Sequence, residues 1–408
     1  MYKTSIMEEF VNPFRPGAGQ PPPYLAGREH EKEEFKKLLQ QTPILKNAIL
    51  TGLRGVGKTV LLETLKPIAL QNGWFWAGND LSESASVSEL SLATRIIADI
   101  APLVSSFVLE EKEVHKIGFA VSKEVVETKL NYQTLVQIYN NTPGLESDKL
   151  KAILEIVWDV VKSKVKGIVL AYDEAQILKD KAADKQYPLS LLLEVIQYLQ
   201  KKQIPYLLVL TGLPTLFPNL VEARTYAERM FNITTLDRLD DKESREAILK
   251  PIANQKVCPV TFTEYGILEI LKYSSGYPYF IQFFCKEAFD AILQQIRVGI
   301  TEPNVSVPEM VRKLDTDFYS GRWSRITDRQ RELLMIIAQL KNANDEFTNK
   351  EIADRSIELK NEFKSAHINN SLLKLIEAGL IFKNRRSKYS FAVPLLADYI
   401  RRQKNDDF

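Results

Sequence analysis

Residues Gly52-Leu53-Arg54-Gly55-Val56-Gly57-Lys58-Thr59 fit the pattern G-x-x-x-x-G-K-[ST], the spacing of a loop that cradles phosphates. Glycines let such a loop curl and aim its N–H groups at phosphate oxygens. Lys58 is placed to reach the β- and γ-phosphates, and the Thr59 hydroxyl to ligate Mg2+. Gly52, Arg54, Gly55, Val56, Gly57 and Val60 make up the rest of the nucleotide contacts expected from this loop. A second stretch, Gly167 to Glu174, is an apolar run ending in two carboxylates, 115 residues after Lys58. Asp173 is expected to hold the metal, directly or through water. Glu174 is expected to orient and activate the attacking water, because a carboxylate beside a metal-bound phosphate can accept its proton.

These groups need elements to hold them. Ala48-Ile49-Leu50 reads as a buried strand entering the loop, and Val60 to Leu65 as the start of a helix leaving it. The helix N-terminus adds a favourable dipole for anions. The run ending at Asp173 reads as a strand that presents its carboxylates at the carboxyl edge of an open α/β sheet. Further strands are expected at 74–77, 205–211 and 230–233, with helices at 29–40, 88–109, 147–163 and 189–202. This alternation predicts an α/β fold, a parallel sheet with helices on both faces. Residues 110–145 are of mixed polarity, with Gly118, Asn140-Asn141 and Pro143, and read as an insertion. From 241 to 296 the pattern is helical only, the pattern of a small α-helical lid, and Asp317 to Arg325 reads as a link to a last module.

Residues 12–23 hold five prolines and two glycines, which predicts an extended arm. The expected organisation is an arm over 1–28, a phosphate-binding core over 29–238, a lid over 239–320 and a final module over 321–408. Of the 408 residues, 45% are hydrophobic and 26% charged, as in a soluble globular protein. No apolar run reaches the ~18 residues of a membrane span, and residues 1–9 lack the apolar core of a secretory signal. Two cysteines, Cys258 and Cys285, and three histidines predict packed thiols and no zinc site. These features predict a cytoplasmic protein with no membrane partner. A net charge of +2 does not by itself call for nucleic acid, so any basic surface must be local.

The last module has such clustering. Thr327 caps a helix beginning at Asp328, Phe347 to Ala353 begins a second, and a third runs from about Lys364 to Ala378, stopped by Gly379. Leu380 to Phe382 and Tyr389 to Val393 flank a hairpin tip at Asn384-Arg385-Arg386-Ser387-Lys388. Three helices and a hairpin make a winged helix-turn-helix. Residues 322–408 contain 17 Lys/Arg and 12 Asp/Glu, a balance of +5 (17 − 12). Lys364, Asn369, Asn370 and Lys374 on the third helix, with Arg385, Arg386 and Lys388 on the wing, are the expected duplex-DNA contacts. His367 reads as a half-buried helix residue.

The ordered motifs resemble the AAA+ ATPases, and within them the origin-recognition and archaeal initiator-like clade with a C-terminal winged helix. The resemblance runs from Asn12 to about Arg402. It implies ATP and ADP as ligands, hydrolysis with Mg2+, and self-association through AAA+ interfaces. It implies that the arm from Asn12-Pro13-Phe14 to Arg28 covers the adenine. Thr211 then matches the polar sensor of the γ-phosphate, on a strand inserted between the strand Ala48-Ile49-Leu50 and the one ending at Asp173. Arg229 is the first choice, and Arg224 the second, for an arginine reaching a neighbour's ATP. Pro278 and Tyr279 match the lid motif that lies against the nucleotide. Many relatives carry an arginine there, and this chain has Tyr279 instead. The resemblance leaves a second reading open: a nucleotide-gated switch whose winged helix or insertion recruits a protein partner, with incidental turnover and no DNA readout. Phosphoryl transfer to a small molecule is disfavoured, because no acceptor site is evident.

Overall fold

The computed structural model describes residues 11–17, 19–116, 122–255, 258–385 and 387–406. Its strands are β1 (Asn47–Thr51), β2 (Trp74–Ala77), β3 (Val108–Lys116), β4 (Ser122–Lys129), β5 (Gly167–Tyr172), β6 (Tyr206–Gly212), β7 (Phe231–Thr235), β8 (Ile381–Arg385) and β9 (Lys388–Phe391). Five of them form a parallel sheet in the order β2-β5-β6-β1-β7. Every residue of β1, β5 and β6 is buried. This explains their unbroken apolar runs, since a strand covered on both faces does not alternate. Helices Glu89–Val104, Glu146–Val161 and Pro188–Lys201 bury Ile96, Ile100, Leu150, Leu154, Leu192 and Ile196 in the same core as Ile49, Leu170 and Leu208.

The chain divides into two compact units. One comprises residues 29–51 and 61–235, with the sheet; the other comprises 1–28, 52–60 and 236–408. The second unit is built on helices Asp241–Ala253, Glu264–Ser274 and Pro278–Arg297, followed by Asp328–Ala338, Asn349–Glu358, Ser365–Glu377, the antiparallel ribbon β8–β9 and Leu396–Asp406. Phe280, Phe284 and Phe289 share one core with Leu333, Ile337, Leu372 and Ile400.

Two segments carry elements that the sequence reading did not assign. Residues 110–145, read as an insertion, contain most of the antiparallel pair β3–β4 and a helix, Tyr132–Asn141. Asn131 caps that helix by accepting the Thr134 N–H at 3.0 Å, and Leu135 and Tyr139 are buried. Two anchors in ten residues give too weak a period to read, and Asn140-Asn141, which looked like a break, form its last turn. The link at 317–325 is also helical. Wide, π-type turns at Asp315–Ser320 continue the helix Val307–Leu314 and run into Gly321–Trp323. Tyr319 anchors this stretch, fully buried, with its hydroxyl donating to Pro394 O at 2.8 Å.

Asn47 ties the sheet together at the amino end of β1. It is fully buried. Its Oδ1 accepts from Leu208 N at 2.9 Å and Gln200 Nε2 at 2.8 Å, and its Nδ2 donates to Met230 O at 3.2 Å. One side chain thus stitches β6, a flanking helix and the entry to β7 to β1. Asn47→Ala is expected to leave at least two buried polar groups unpaired and cost about 2–4 kcal/mol, read as a lower urea midpoint at unchanged slope.

Candidate functional site

β1 ends at Thr51, and the chain enters the loop at Gly52. Gly52 has φ 156°, and a Cβ there would lie 2.4 Å from Leu236 O, so only glycine fits. Gly55 and Gly57 also take positive φ, and a Cβ at Gly57 would meet nothing within 4 Å. Lys58 is the first residue of the helix Lys58–Gln71 and is 8% exposed. Its ammonium donates to Gly52 O at 3.0 Å and Leu53 O at 2.9 Å, which holds it across the loop. Val56 is buried, and Thr59 and Val60 are half-buried. Positive-φ glycines, a helix N-terminus and an ammonium lie in one short loop, a set that suits phosphate oxygens.

Arg28 does not have to reach a ligand to serve this loop. It is 6% exposed, and its Nη2 donates to Val56 O at 3.1 Å and Asp237 O at 2.8 Å. Pro278 opens the helix Pro278–Arg297, and the Tyr279 N–H donates to Gly55 O at 3.2 Å. Burial, then the charge of Asp317, raises the Tyr279 hydroxyl above its ordinary value. In the arm, Asn12 Nδ2 donates to Asp290 Oδ1 at 2.7 Å, while Phe14 is buried against Phe262 and Phe289. The Phe14 ring is therefore spent on the helical core.

Arg54 and Arg322 were not paired by sequence reasoning. The Nε of Arg54 is buried with no hydrogen-bond partner among the described residues. Arg322 lies over the Phe318 ring at 4.7 Å, and Phe318 packs on Tyr279 at 5.2 Å. Burial first, and the charge of Arg54 second, pull the Arg322 guanidinium below its usual value. The sequence carried no signal for this, since Arg322 sits in the stretch read as a link.

In the sheet unit, β6 lies between β1 and β5, as the resemblance implied, with Leu50 paired to Thr211 and Tyr172 to Leu210. Asp173 is 2% exposed and Thr211 fully buried. The Thr211 hydroxyl donates to Asp173 Oδ1, which also accepts the Glu174 N–H at 2.7 Å. Glu174 is half-buried, with a left-handed backbone at φ 52°, unusual for a residue with a Cβ. Its carboxylate accepts from Gln176 Nε2. Asp80 makes a parallel bridge to Asp173. Burial, then Asp173, then Glu174, raises the Asp80 carboxyl. Asp80 and Gln176 were both missed, although Gln176 stood in the readable run Asp-Glu-Ala-Gln.

Arg229 is exposed on the single turn Ala227–Met230 and has no ion pair among the described residues. Arg224 is half-buried, 3.9 Å from Glu194. Lys364, Asn369, Asn370 and Lys374 are exposed on or beside the helix Ser365–Glu377, and Asn369 accepts from Asn349 Nδ2. His367 is exposed rather than half-buried, because the buried stripe is Ile368, Leu372 and Leu375. Lys388 is half-buried and pairs in register with Arg385. Arg386 and the Arg385 side chain lie outside the described residues.

A family described as "Domain of unknown function (DUF8462)" matches residues 316–400. Among curated proteins, none matches the sequence. Solved structures match along nearly the whole chain. The Walker-type ATPase PABY2304 of Pyrococcus abyssi is 16% identical with a TM-score of 0.58, over 92% of this chain and 96% of that one. The ORC2 protein of Aeropyrum pernix in its ADP form is 13% identical with a TM-score of 0.56, over 95% of this chain and 97% of that one. Its ADPNP–ADP complexes give 14% and 0.52, over 96% of both chains. The chain shares the fold of these solved structures.

Arg28→Ala is expected to loosen the loop by freeing the carbonyls of Val56 and Asp237. ATP affinity should fall about tenfold, equivalent to about 1.4 kcal/mol, with partial recovery in Arg28→Lys. Titration calorimetry checks both.

Proposed function

We propose that this protein binds ATP and hydrolyses it with Mg2+, and that nucleotide state governs self-association and the engagement of duplex DNA by a C-terminal winged helix. The observation that carries the first part is the loop, which brings positive-φ glycines, a helix N-terminus and the pinned Lys58 together. The cations Arg54 and Arg322 reinforce a preference for an anionic ligand in that unit.

Each residue then has a role. The loop amides and Lys58 hold the phosphates. Thr59 and Asp173 would hold Mg2+, which would neutralise charge developing on the phosphoryl oxygens. Glu174 accepts the proton of water as its oxygen bonds to the γ-phosphorus and the bond to ADP breaks. Thr211, hydrogen-bonded to Asp173, keeps that carboxylate oriented. The exposed Arg229 reaches a neighbouring subunit's nucleotide, with the partly engaged Arg224 as the second choice. In the C-terminal module, the helices Asp328–Ala338, Asn349–Glu358 and Ser365–Glu377 with the ribbon β8–β9 form the winged helix. Lys364, Asn369, Asn370 and Lys374 read the groove, and Arg385, Arg386 and Lys388 contact phosphates.

One observation favours a protein partner for the same module. Leu373 is 59% exposed, on the helical face shared by Asn369 and Asn370, and Ile357 is 61% exposed. An apolar residue at the centre of a polar face suits a protein better than a groove.

Lys58→Ala is expected to weaken ATP binding about a hundredfold, the loss of roughly 2.7 kcal/mol of charge-assisted contact. Glu174→Gln should keep ATP while turnover falls by at least about 10²-fold. Nucleotide titration and phosphate release test the pair, and wild-type ATP affinity in the lysine variant would remove the site assignment. For the winged helix, Arg385→Ala/Arg386→Ala should weaken all duplexes alike and flatten the log–log salt slope by about 0.9 per lost phosphate contact. Unchanged affinity and slope in fluorescence anisotropy would transfer the module to a protein partner.

A further inference from the structure

We propose that Gln176 is the positioning residue of Glu174, a hydrogen-bonded strut that sets the water-activating carboxylate from the end of β6. The proposal rests on the reading of Glu174 as the base.

The two carboxylates at the end of β5 are held in parallel ways. Thr211, near the end of β6, holds Asp173 through its hydroxyl. Two residues on, the Leu213 N–H donates to Gln176 Oε1 at 3.0 Å, and the same amide donates through Nε2 to the Glu174 carboxylate. Both carboxylates therefore take their positions from β6. Gln176 suits this because an amide donates at one atom and accepts at the other, so one planar group spans both partners. A carboxylate in its place could accept from Leu213 but could not donate to Glu174.

The surroundings are built for the strut. Gly212 lies under the amide, where a Cβ would stand 2.6 Å from Gln176 Oε1. Residues Ala175–Ile177 form a short 3-10 turn with Ala175 buried, which fixes the backbone beneath Gln176. Glu174 needs the help. Its backbone is left-handed, and its flexible side chain loses rotamer freedom when it is held in one position. A base held in place before water arrives is more effective than one that must be ordered during the reaction.

The test compares wild type, Gln176→Ala, Glu174→Gln and the double variant. Phosphate release gives kcat and KM, ATP titration gives affinity, and thermal melting gives stability. Gln176→Ala should lower kcat about tenfold while KM, ATP affinity and melting temperature stay as in wild type. In the Glu174→Gln background it should cause no further fall, because the strut would have no base to position. Gly212→Ala, which displaces the amide without removing it, should reproduce the kcat loss. Gln176→Glu keeps the size and the acceptor but not the donor, and covers the case in which Gln176→Ala fails to fold; its kcat should also fall. Wild-type or raised kcat in Gln176→Ala or Gln176→Glu would overturn the proposal. So would an equal fall in both backgrounds, or a loss confined to affinity or melting temperature. Unchanged turnover in Glu174→Gln alone would instead remove the base assignment, and the strut with it.

Discussion

β6 sits between the strand that feeds the phosphate loop and the strand that carries the carboxylates, and parallel hydrogen bonding locks all three. Neighbouring strands lie about 4.8 Å apart, so the exits of β1, β6 and β5 are fixed along one edge before any loop is considered. The register Leu50–Thr211 and Tyr172–Leu210 sets which side chains reach that edge. A slip of one residue would turn Thr211 to the opposite face. Complete burial of the three strands and the Asn47 stitch at the far end both oppose such a slip. The precision of the carboxylate cluster therefore comes from the core.

Charge is segregated within each unit. The loop unit gathers donors and cations: Lys58, the curled amides, Arg54 and Arg322. The sheet edge gathers Asp80, Asp173 and Glu174; hydrogen bonds from Thr211, Gln176 and the Glu174 amide, and the charge of Arg95 on Asp80, act against their repulsion. Burial and like charge disfavour the charged forms, the direction in which the exposed Asp80 carboxyl is raised and the half-buried Arg322 guanidinium lowered. A ligand of opposite charge would relieve that repulsion on binding, which would link stability to ligand concentration.

The glycine loop and β5 with its terminal carboxylates were legible as elements because each joins a residue pattern to a strong local signal, whereas the placement of β6 came from the resemblance. A glycine run before a helix and an apolar strand ending in acids leave few alternatives. The helix Tyr132–Asn141 and the turns at Asp315–Ser320 were not legible, because their anchors are few and their packing partners are distant in sequence. Arg322, Asp80 and Gln176 belong to the same class. Each matters through a neighbour that only tertiary structure supplies: Phe318 and Tyr279 for Arg322, the end of β5 for Asp80, and Leu213 for Gln176. Arg28 was legible as a residue, though its observed partners are loop and strand-end carbonyls.

On the proposed reading as an ATP-binding protein, Tyr279 changes how nucleotide state would be communicated. A lid arginine would contact phosphate as a point of charge. Here the contact to the loop is a backbone bond, Tyr279 N–H to Gly55 O. The signal must then pass through packing. The Tyr279 ring lies on Phe318, Phe318 lies under Arg322 and against Tyr319, and Tyr319 bonds to Pro394 just before the last helix. These contacts are contiguous from the loop into the C-terminal module and lie within one compact unit. Close-packed interiors transmit displacement because their side chains have few intermediate arrangements. A ligand shifts such an element only by the difference in its free energy of binding to the two arrangements. Coupling along this path would therefore be set by how differently ATP and ADP hold the loop backbone at Gly55, and the strength of phosphate binding as a whole would not enter.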